Sequence, residues 1–591
     1  MSGRLKTTDR SQVTNGKSAV VVDSAEVTTD LGRSMEEAPR VQVWDKRVTR
    51  RYFFNRLSTG GRYVLPKTQF TTLRIALCCS MFRRIPSLVS PHAAVLFSTY
   101  ILSTCFLSAC AGEDASGTPG SGSVEPVPEL SAELPPEPEN PDTLQAREVF
   151  APEQVLEYRI RMPDSVAEEL EREGNREEYV PAELTITGGY FGTVEFAEVG
   201  FRHKGAWSLH HCWDDFDGER SFLDECERIS YKVKFDKFDD DARLFGLKRL
   251  NLHAGRSDPS LLKELLVYST FNAFGVDAPR AAPAKVYIND ELVGMFVAVE
   301  AIDGRYTAFR NGESGDGNLY KEVWPKPDLE DGHYERALRT NDNAGGALLG
   351  FPNGVPDVSD IQAFARAVEA SSAETFEEDM ADWVSVETLL RYMAVDRAVK
   401  NWDGVMSFYS PLTSHNFYWY RDNAPGSLFE LIPWDMDNTF WDADPYTNPV
   451  GFGLATEPVP DWNVSPASCE PISVWDINSN VRLTPPGCDK FLRLLASTQW
   501  ETFRAIGIEL LDGPLAQEVV KQKLDAWSEL MRPGVRESST QFSRWTWGTM
   551  EAREQVPQAN GDFFEYIQQD YQDERNVAGA GEEVAGDTSP E

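Results

Sequence analysis

Positively charged residues are scarce in this chain of 591 residues compared with negatively charged ones. It contains 57 Lys and Arg against 94 Asp and Glu, which gives a formal net charge of −37 at pH 7. Such a surface repels a polyanion unless basic residues are segregated into a patch, and the sequence shows no such patch. The composition therefore argues against nucleic acid as a partner.

Cysteine and histidine are also rare, with 8 and 7 residues in the whole chain. The four cysteines beyond position 110 form two locally spaced pairs, Cys212 with Cys226 and Cys469 with Cys488. Zinc ligation is one interpretation, but no CxxC motif accompanies these cysteines and the histidines do not cluster. We favour two loop-closing disulfides formed in an oxidising compartment.

Several fingerprints of common enzyme classes are missing as well. The sequence has neither a Walker A motif nor GxGxxG, which argues against a P-loop or Rossmann enzyme. It has no GxSxG and no obvious Cys–His pair to indicate a hydrolase. The histidines lack metal-ligand spacing, and we expect His253 and His415 to form local hydrogen bonds. The aromatic residues at 402–441 suit a core better than a sugar-binding platform.

Residues 81–110 have the features of a bacterial export signal. Two arginines near the start precede an apolar stretch at 93–107, and the segment ends in Leu-Ser-Ala-Cys at 107–110. This ending closely resembles a lipoprotein cleavage site, with Cys110 as the lipid-bearing residue. A transmembrane helix is the alternative, because the apolar stretch is nearly long enough. The small residues before the cysteine and the acidic segment after it favour cleavage.

Composition also marks three segments that we do not expect to fold. Residues 1–80 lack sustained periodicity and are interpreted as a disordered or non-native extension. Residues 111–147 are rich in Pro, Gly, Ser and Glu, so they cannot bury a core and would tether a domain to a membrane. The acidic, Gly-containing tail at 573–591 is predicted to be disordered.

The remaining chain changes character near residue 300. Residues 148–300 alternate apolar and polar side chains and read mainly as strands, with one long amphipathic helix from Asp258 as N-cap to Gly275 as its stop. Residues 301–572 are mainly helical. The predicted helices there are 358–370, 375–382, 385–400, 489–512 and 515–531, and a strand pair is predicted at 417–420 and 428–432. This order predicts an α+β, two-lobed arrangement.

Eight segments in a fixed order resemble a known family. They are VGFRHKG (199–205), SYKVKFDKF (230–238), FGLKRLNLH (245–253), DPS with its helix (258–260), GMFVAVE (294–300), NWD (401–403), HNFYWY (415–420) and IPWDMD (432–437). Together they resemble the spore-coat protein H (CotH) kinase family over residues 155–445, more weakly to 535. The resemblance implies an atypical protein-kinase-like fold with a strand-rich N-lobe (148–300) and a helical C-lobe (301–572).

The resemblance also implies ATP-dependent phosphoryl transfer. That reaction needs metal ions on the polyphosphate, a cation to position it and a carboxylate to orient the acceptor hydroxyl. By resemblance Asp435 holds the principal Mg²⁺ or Mn²⁺ and Asp437 assists, although a solvated turn is the other interpretation of Asp-x-Asp. Asp403 takes the catalytic place and Asn416 that of the second metal ligand. Asn416 follows Asp403 by thirteen residues instead of five, so the loop 404–414 either bulges outward or removes Asn416 from the site.

Three lysines are candidates for the nucleotide phosphates. Lys232 and Lys234 lie on one face of a predicted strand. Either could pair with Glu264 on the long helix, as the strand lysine of kinases pairs with its helix glutamate, and we favour Lys234. Lys204 precedes Gly205, which permits close backbone approach. Solvated strand lysines and an exposed Glu264 are the alternative interpretation.

We therefore predict a lipid-anchored kinase of the cell envelope, facing the periplasm or the exterior. It would transfer the γ-phosphoryl of ATP to hydroxyl groups of exported proteins, with Mg²⁺ or Mn²⁺. The first alternative is a catalytically inactive kinase-like scaffold. The long loop after Asp403 and the scarcity of ATP outside the cytoplasm favour this alternative. The acidic and aromatic composition suggests a second alternative, a carbohydrate-binding or cell-wall assembly protein.

Overall fold

The computed structural model describes residues 146–172, 174, 177–205, 209, 212–213, 226, 228–311, 317–326, 359–409, 414–440, 459–473, 482–538 and 541–574. All of them belong to one compact unit, Val124–Glu591. The predicted extension and signal peptide lie outside the described residues, as do most of the linker and of the acidic tail. Within the described part, no helix has the length and apolar character needed to cross a bilayer.

Seven strands close into a barrel at the start of the described chain. They are β1 (Leu156–Arg161), β2 (Val180–Gly188), β3 (Gly192–Lys204), β4 (Ser230–Lys234), β5 (Arg249–His253), β6 (Ala281–Ile288) and β7 (Glu291–Glu300). Their order is β1-β2-β3-β4-β5-β7-β6, and a parallel pairing of β1 with β6 closes the ring. Inward side chains such as Phe201, Val233 and Leu250 are buried in one apolar core. The barrel is therefore filled and has no channel.

The opposite face of β3, β4 and β5 carries polar and basic side chains, because successive residues of a strand point to opposite sides. Arg202 pairs in register with Lys232, which pairs in turn with Asn251. These side chains are buried, and other segments of the protein supply acidic partners to this face. Asp303, for example, lies 3.0 Å from Arg249. This outer face forms one wall of the candidate site.

Helix α2 lies next to this face and is shorter than the sequence predicts. The short helix α1 (Asp164–Arg172) precedes it in the chain, and α2 itself spans Lys263–Ala273. The carboxylate of Asp258 accepts the backbone N–H of Ser260 and that of the first helical residue, and Leu261 has φ +60°. A left-handed residue cannot continue a helix, so α2 begins after this turn. The predicted stop at Gly275 is confirmed, with φ +77° at that position.

The rest of the described chain is mainly helical. Its helices are α3 (Gly304–Asn311), α4 (Ser359–Ala370), α5 (Phe376–Met380), α6 (Val386–Ala398), α7 (Lys490–Asp512), α8 (Gln517–Glu537) and α9 (Gln541–Tyr566). Helices α4 to α8 start within a few residues of their predicted positions. Helix α9 was not predicted, because Pro557 and two glycines interrupt its pattern.

Short strands join these helices. They are β8 (Asn318–Lys321), β9 (Phe408–Tyr409), β10 (Phe417–Arg421), β11 (Phe429–Pro433), β12 (Val464–Ser465), β13 (Ile472–Ser473), β14 (Arg482–Thr484) and β15 (Gln572–Asp573). The predicted pair β10–β11 is confirmed as antiparallel, and β8 extends it on the other side of β10. Phe417, Trp419 and Phe440 are fully buried in the largest apolar core, so these aromatic residues are core residues. The described chain is thus mixed α and β, with a strand-rich region followed by a helical part.

Both predicted disulfides are present, Cys212–Cys226 and Cys469–Cys488. We expect loss of either bridge to lower the free energy of unfolding by about 2–4 kcal/mol, because each bridge restricts the unfolded chain. The measurement is denaturant unfolding of the two double Cys→Ala variants beside the wild type. Non-reducing peptide mapping serves as the control, and four free thiols in the oxidised protein would contradict the pairing.

Candidate functional site

Three residues from separate elements form a hydrogen-bonded chain on the outer face of the barrel. The Nζ of Lys204, the last residue of β3, lies 2.8 Å from His253 Nε2 at the end of β5. His253 Nδ1 lies 2.9 Å from each carboxylate oxygen of Glu264, in the first turn of α2. A lysine ammonium can only donate, so His253 accepts at Nε2 and donates from Nδ1 to Glu264.

Burial and neighbouring charges shift the pKa values of all three residues in this hydrogen-bonded chain. Desolvation and the nearby Lys204 ammonium lower the pKa of His253 well below its usual range, which favours the neutral imidazole. Desolvation also lowers the pKa of Lys204, against the opposing effect of Asp435 and Glu264. Desolvation and the Asp435 carboxylate raise the pKa of Glu264 well above its usual value. Burial and the neighbouring Asp435 carboxylate therefore disfavour ionisation of Glu264.

The segment after β11 brings two further carboxylates to the same place. Asp435 has φ +58°, a conformation that non-glycine residues adopt rarely and that is concentrated at functional sites. Its backbone N–H donates to the Tyr268 hydroxyl at 3.0 Å, and that hydroxyl lies 3.4 Å from Glu264 Oε1. The Oδ2 of Asp437 accepts the backbone N–H of Ser257 at 3.1 Å. Helix α2 thus contacts both the histidine and the Asp435 segment.

This part of the site has the donors for a divalent cation. One carboxylate oxygen each of Glu264 and Asp435 and one ring nitrogen of His253 lie within 4.8 Å of one another. Desolvation and Asp435 also raise the pKa of Asp437 well above its usual value. A bound cation would favour the ionised form of these clustered carboxylates, and hard oxygen donors suit Mg²⁺ or Mn²⁺. The residues present therefore fit such an ion.

Asp403 and Asn416 lie together despite their separation in sequence. Asn416 Nδ2 donates to the Asp403 carbonyl oxygen at 3.0 Å and to Asp403 Oδ2 at 3.1 Å. The Tyr409 hydroxyl, from the loop between them, donates to Asp403 Oδ1 at 2.7 Å. Desolvation raises the pKa of Asp403 to about 6. The additional loop residues therefore leave Asn416 beside Asp403.

Asn416 also connects this pair to the Asp435 segment. Its carbonyl oxygen accepts the backbone N–H of Trp434 at 3.0 Å, and its own φ is +60°. The Trp434 ring in turn lies 5.6 Å from the His253 ring and 5.4 Å from Lys204 Nζ, measured to the ring centroid. The lysine chain, the two aspartates and the Asp403–Asn416 pair are therefore parts of a single site.

Glu322, directly after β8, is a site residue that sequence reasoning missed. Its Oε1 accepts the backbone N–H of Asn416 at 3.3 Å, and its Oε2 lies 3.6 Å from His415 Nδ1. Desolvation alone would raise its pKa, but Lys321 and His415 hold the pKa of Glu322 at about 2. No motif surrounds Glu322, and it precedes Asn416 by 94 residues, so no sequence signal marks it.

The structure separates the three predicted phosphate lysines. Lys204 belongs to the hydrogen-bonded chain, and Lys232 is buried beside Arg202 on the same face. Lys234 Nζ lies 3.9 Å from Asp236, and its side chain is 25% exposed. The predicted pairing of Lys234 with Glu264 is therefore wrong. The register of β4 and β5 brings His253, and through it Lys204, to Glu264 instead.

Comparison with known proteins identifies the family. Residues 201–572, more than half of the chain, match the family described as CotH kinase protein. The chain belongs to this family. The CotH match includes every predicted site residue and begins within β3, so strands β1 and β2 of the barrel precede it.

Two relatives of the CotH family chain are found in Bacillus subtilis (strain 168). The chain is 28% identical to Inner spore coat protein H over 228 residues, which are 38% of this chain and 58% of that protein. It is 32% identical to Inner spore coat protein H-like protein over 77 residues, 13% of this chain and 24% of that protein. The chain thus spans less than two thirds of the length of either relative.

Proposed function

We propose that this CotH family protein is an atypical kinase with a two-lobed, kinase-like fold. It transfers the γ-phosphoryl of ATP to hydroxyl groups of exported proteins. The observation that carries this proposal is the meeting of Lys204, the Asp435–Asp437 carboxylates and Asp403 in one site. Phosphoryl transfer needs a phosphate-positioning cation, metal ligands and an acceptor-orienting carboxylate, and this site offers all three.

Each part has a distinct task in the proposed reaction. Asp435, with Asp437 and Asn416 assisting, would hold the metal ion, which would supply the positive charge that neutralises the polyphosphate. Lys204 contacts the phosphates from the barrel side. Asp403 accepts the proton of the acceptor hydroxyl as the new O–P bond forms and the bond to the ADP oxygen breaks. The Tyr409 hydroxyl donates to Asp403 Oδ1. The substrate hydroxyl that accepts the phosphoryl group needs this oxygen for its own proton, so it displaces the Tyr409 hydroxyl.

The location of the protein is part of the proposal. One relative is named for the inner spore coat, and both disulfides suit an oxidising compartment. We propose an envelope protein held to the membrane by a lipid on Cys110. Replacing Cys110 with alanine should abolish incorporation of labelled fatty acid, and the wild type should partition with membranes. A native protein that starts at Met1 and stays in the aqueous phase would contradict the lipid anchor.

The wild-type protein tests the proposed function in two steps. Thermal denaturation with ATP, Mg²⁺ and Mn²⁺ should show nucleotide-dependent stabilisation, and a panel of cell-wall sugars should give none. [γ-³²P]ATP should then label the protein itself or a generic protein acceptor. Binding without transfer to any acceptor would favour the inactive scaffold. No nucleotide binding with either metal would exclude the kinase, and stabilisation by sugars alone would favour the carbohydrate-binding alternative.

We expect cation binding to stabilise the protein more at pH 8 than at pH 5. The folded-state pKa values of Glu264, Asp437 and Asp403 are all raised. At these three carboxyl groups the metal-free fold therefore holds more protons than the unfolded chain, and the stability that they contribute falls as the pH rises from about 4 through their folded pKa values. Mn²⁺ or Mg²⁺ binds the ionised form of the site. A cation concentration of 100 times the Kd adds about 2.7 kcal/mol to the free energy of unfolding.

Melting curves with and without the cation at both pH values measure this effect. Asp437→Asn keeps an acceptor for Ser257 but removes one half-buried carboxylate charge. The variant should be more stable than the wild type at pH 8 without metal, and it should gain less from the cation. Equal cation stabilisation at pH 5 and pH 8 would contradict a site built from these carboxylates.

A further inference from the structure

We infer that His253 is a positioning residue that joins the phosphate-contacting Lys204 to Glu264 through its two ring nitrogens. The inference rests on the proposed function and deepens it by adding a residue to the nucleotide site. The expected direct lysine–glutamate pair is replaced by a three-membered chain. Each contact in it lies between 2.8 and 2.9 Å.

Both ring nitrogens of His253 are used, and that fixes the tautomer. Nδ1–H donates to Glu264, which leaves the Nε2 lone pair to accept from Lys204. The imidazole is buried, and the edge-to-face contact with Trp434 limits rotation of the ring. Lys204 Nζ also faces Trp434, which adds a cation–π contact. The ammonium is therefore held in one place on the barrel wall before a nucleotide binds.

The same helix connects this chain to the Asp435 segment. Glu264 and Tyr268 are four residues apart on α2 and so share one face of the helix. Glu264 holds His253, and the Tyr268 hydroxyl accepts the Asp435 backbone N–H. One helical turn thus positions both the lysine that contacts phosphate and the aspartate proposed to bind metal. Loss of the imidazole should loosen the link from Glu264 to Lys204 and leave the Tyr268–Asp435 hydrogen bond intact.

Ligation of a metal by His253 is the competing role. Its ring nitrogen lies within 4.8 Å of oxygens of Glu264 and Asp435. Ligation would require His253 to release either Lys204 or Glu264, because both nitrogens are already hydrogen-bonded. The two roles differ in what a glutamine at this position can replace. A glutamine amide can both donate and accept, but it is a poor substitute for an imidazole ligand.

The test compares His253→Gln with His253→Leu in the full-length protein, after melting curves show that both fold. For His253→Leu we expect the KM for ATP to rise and kcat/KM for ATP to fall by about 10–100-fold, with little change in the KM for the acceptor. His253→Gln should recover most of this loss. Lys204→Met should reduce kcat/KM much less in the His253→Leu background than in the wild type, because the chain is already broken.

Each outcome separates the possibilities. An unchanged KM for ATP in His253→Leu, or fully independent effects of the Lys204 and His253 substitutions, would overturn the positioning role. Failure of His253→Gln together with a changed preference between Mn²⁺ and Mg²⁺ would assign His253 as a metal ligand instead. A wild type that binds no nucleotide would defeat the proposed function and this role with it. In that case the melting temperatures of the Lys204→Met, Glu264→Gln and double variants without metal would still decide whether His253 links these two residues. Non-additive effects on stability would show the link, and additive effects would contradict it.

Discussion

Replacing Asp435 with asparagine should abolish phosphoryl transfer and weaken metal-dependent ATP binding. The substitution removes one charged oxygen ligand from a site where Glu264 and Asp437 already have raised pKa values. Without a full ligand set the cation binds weakly, and the charge of the triphosphate is left uncompensated. We expect transfer to fall to the background of the assay. Titration of ATP with Mn²⁺, followed by a [γ-³²P]ATP assay, measures both effects.

A surface substitution with the same charge change controls for the Asp435 variant. Asp570→Asn removes a carboxylate whose side chain is 90% exposed and that has Arg504 as its ion-pair partner at 3.5 Å. Such exposed pairs contribute little to stability, so this variant should bind and transfer as the wild type does. The backbone N–H of Asp435 still reaches Tyr268 in the Asp435→Asn variant, so its fold should be retained. An Asp435→Asn protein that binds Mn²⁺ and ATP normally would contradict the proposed metal site.

Asp403→Asn should fail differently, with transfer reduced by about 10²–10⁴-fold and ATP binding nearly unchanged. The amide oxygen of the new side chain can still accept from Asn416 Nδ2, and its NH2 group can donate to the Tyr409 hydroxyl, which then accepts, so the loop should keep its place. What is lost is the carboxylate that takes the acceptor proton. Single-turnover transfer at saturating ATP measures this loss without a contribution from binding. Equal loss of binding in the Asp403 and Asp435 variants would contradict their separate roles.

The pH dependence of transfer gives a second measure of Asp403. Desolvation raises its pKa to about 6, and only the ionised form can accept a proton. Transfer should therefore rise with pH, with its acidic limb at or below about 6 when a cation neutralises Asp435. Before the acceptor binds, the Tyr409 hydrogen bond favours the carboxylate form, so Tyr409→Phe should move the acidic limb of kcat/KM for the acceptor to higher pH. A wild-type profile that stays flat as the pH falls from 8 to 4 would argue against Asp403 as the base.

The sequence predicted the local features of the fold well, because local patterns determine them. Alternation predicted the strands, and Gly275 marks the end of α2. Ser385 accepts the backbone N–H of Thr388 as the N-cap of α6, where the sequence places a helix start. Closure of the barrel was not predicted, because the parallel pairing of β1 with β6 joins segments more than 100 residues apart. Pairing at that distance leaves no periodic signal.

The candidate site likewise contains residues that sequence motifs identify and residues that only the structure shows. Ordered motifs identified Lys204, Glu264, Asp403, Asn416 and the two aspartates at 435 and 437 as candidates, and the structure brings them together. Lys234 was favoured over Lys232 as the partner of Glu264 by analogy with the strand lysine of kinases, and neither that analogy nor strand alternation can show that His253, at the end of β5, lies beside Glu264. His253 was expected to form only local hydrogen bonds, because its partners come from other elements. Glu322 could not be recognised from its neighbours in sequence.

The most direct measurement of the central claim is a crystal structure with Mn²⁺ and a non-hydrolysable ATP analogue, using the anomalous signal of manganese. We predict a manganese peak bonded to the Asp435 carboxylate, the triphosphate within hydrogen-bond distance of Lys204 Nζ, and the terminal phosphate facing Asp403. The Lys204–His253–Glu264 chain should keep its present contacts. A manganese peak away from Asp435, or a triphosphate bound on another surface of the protein, would contradict the account.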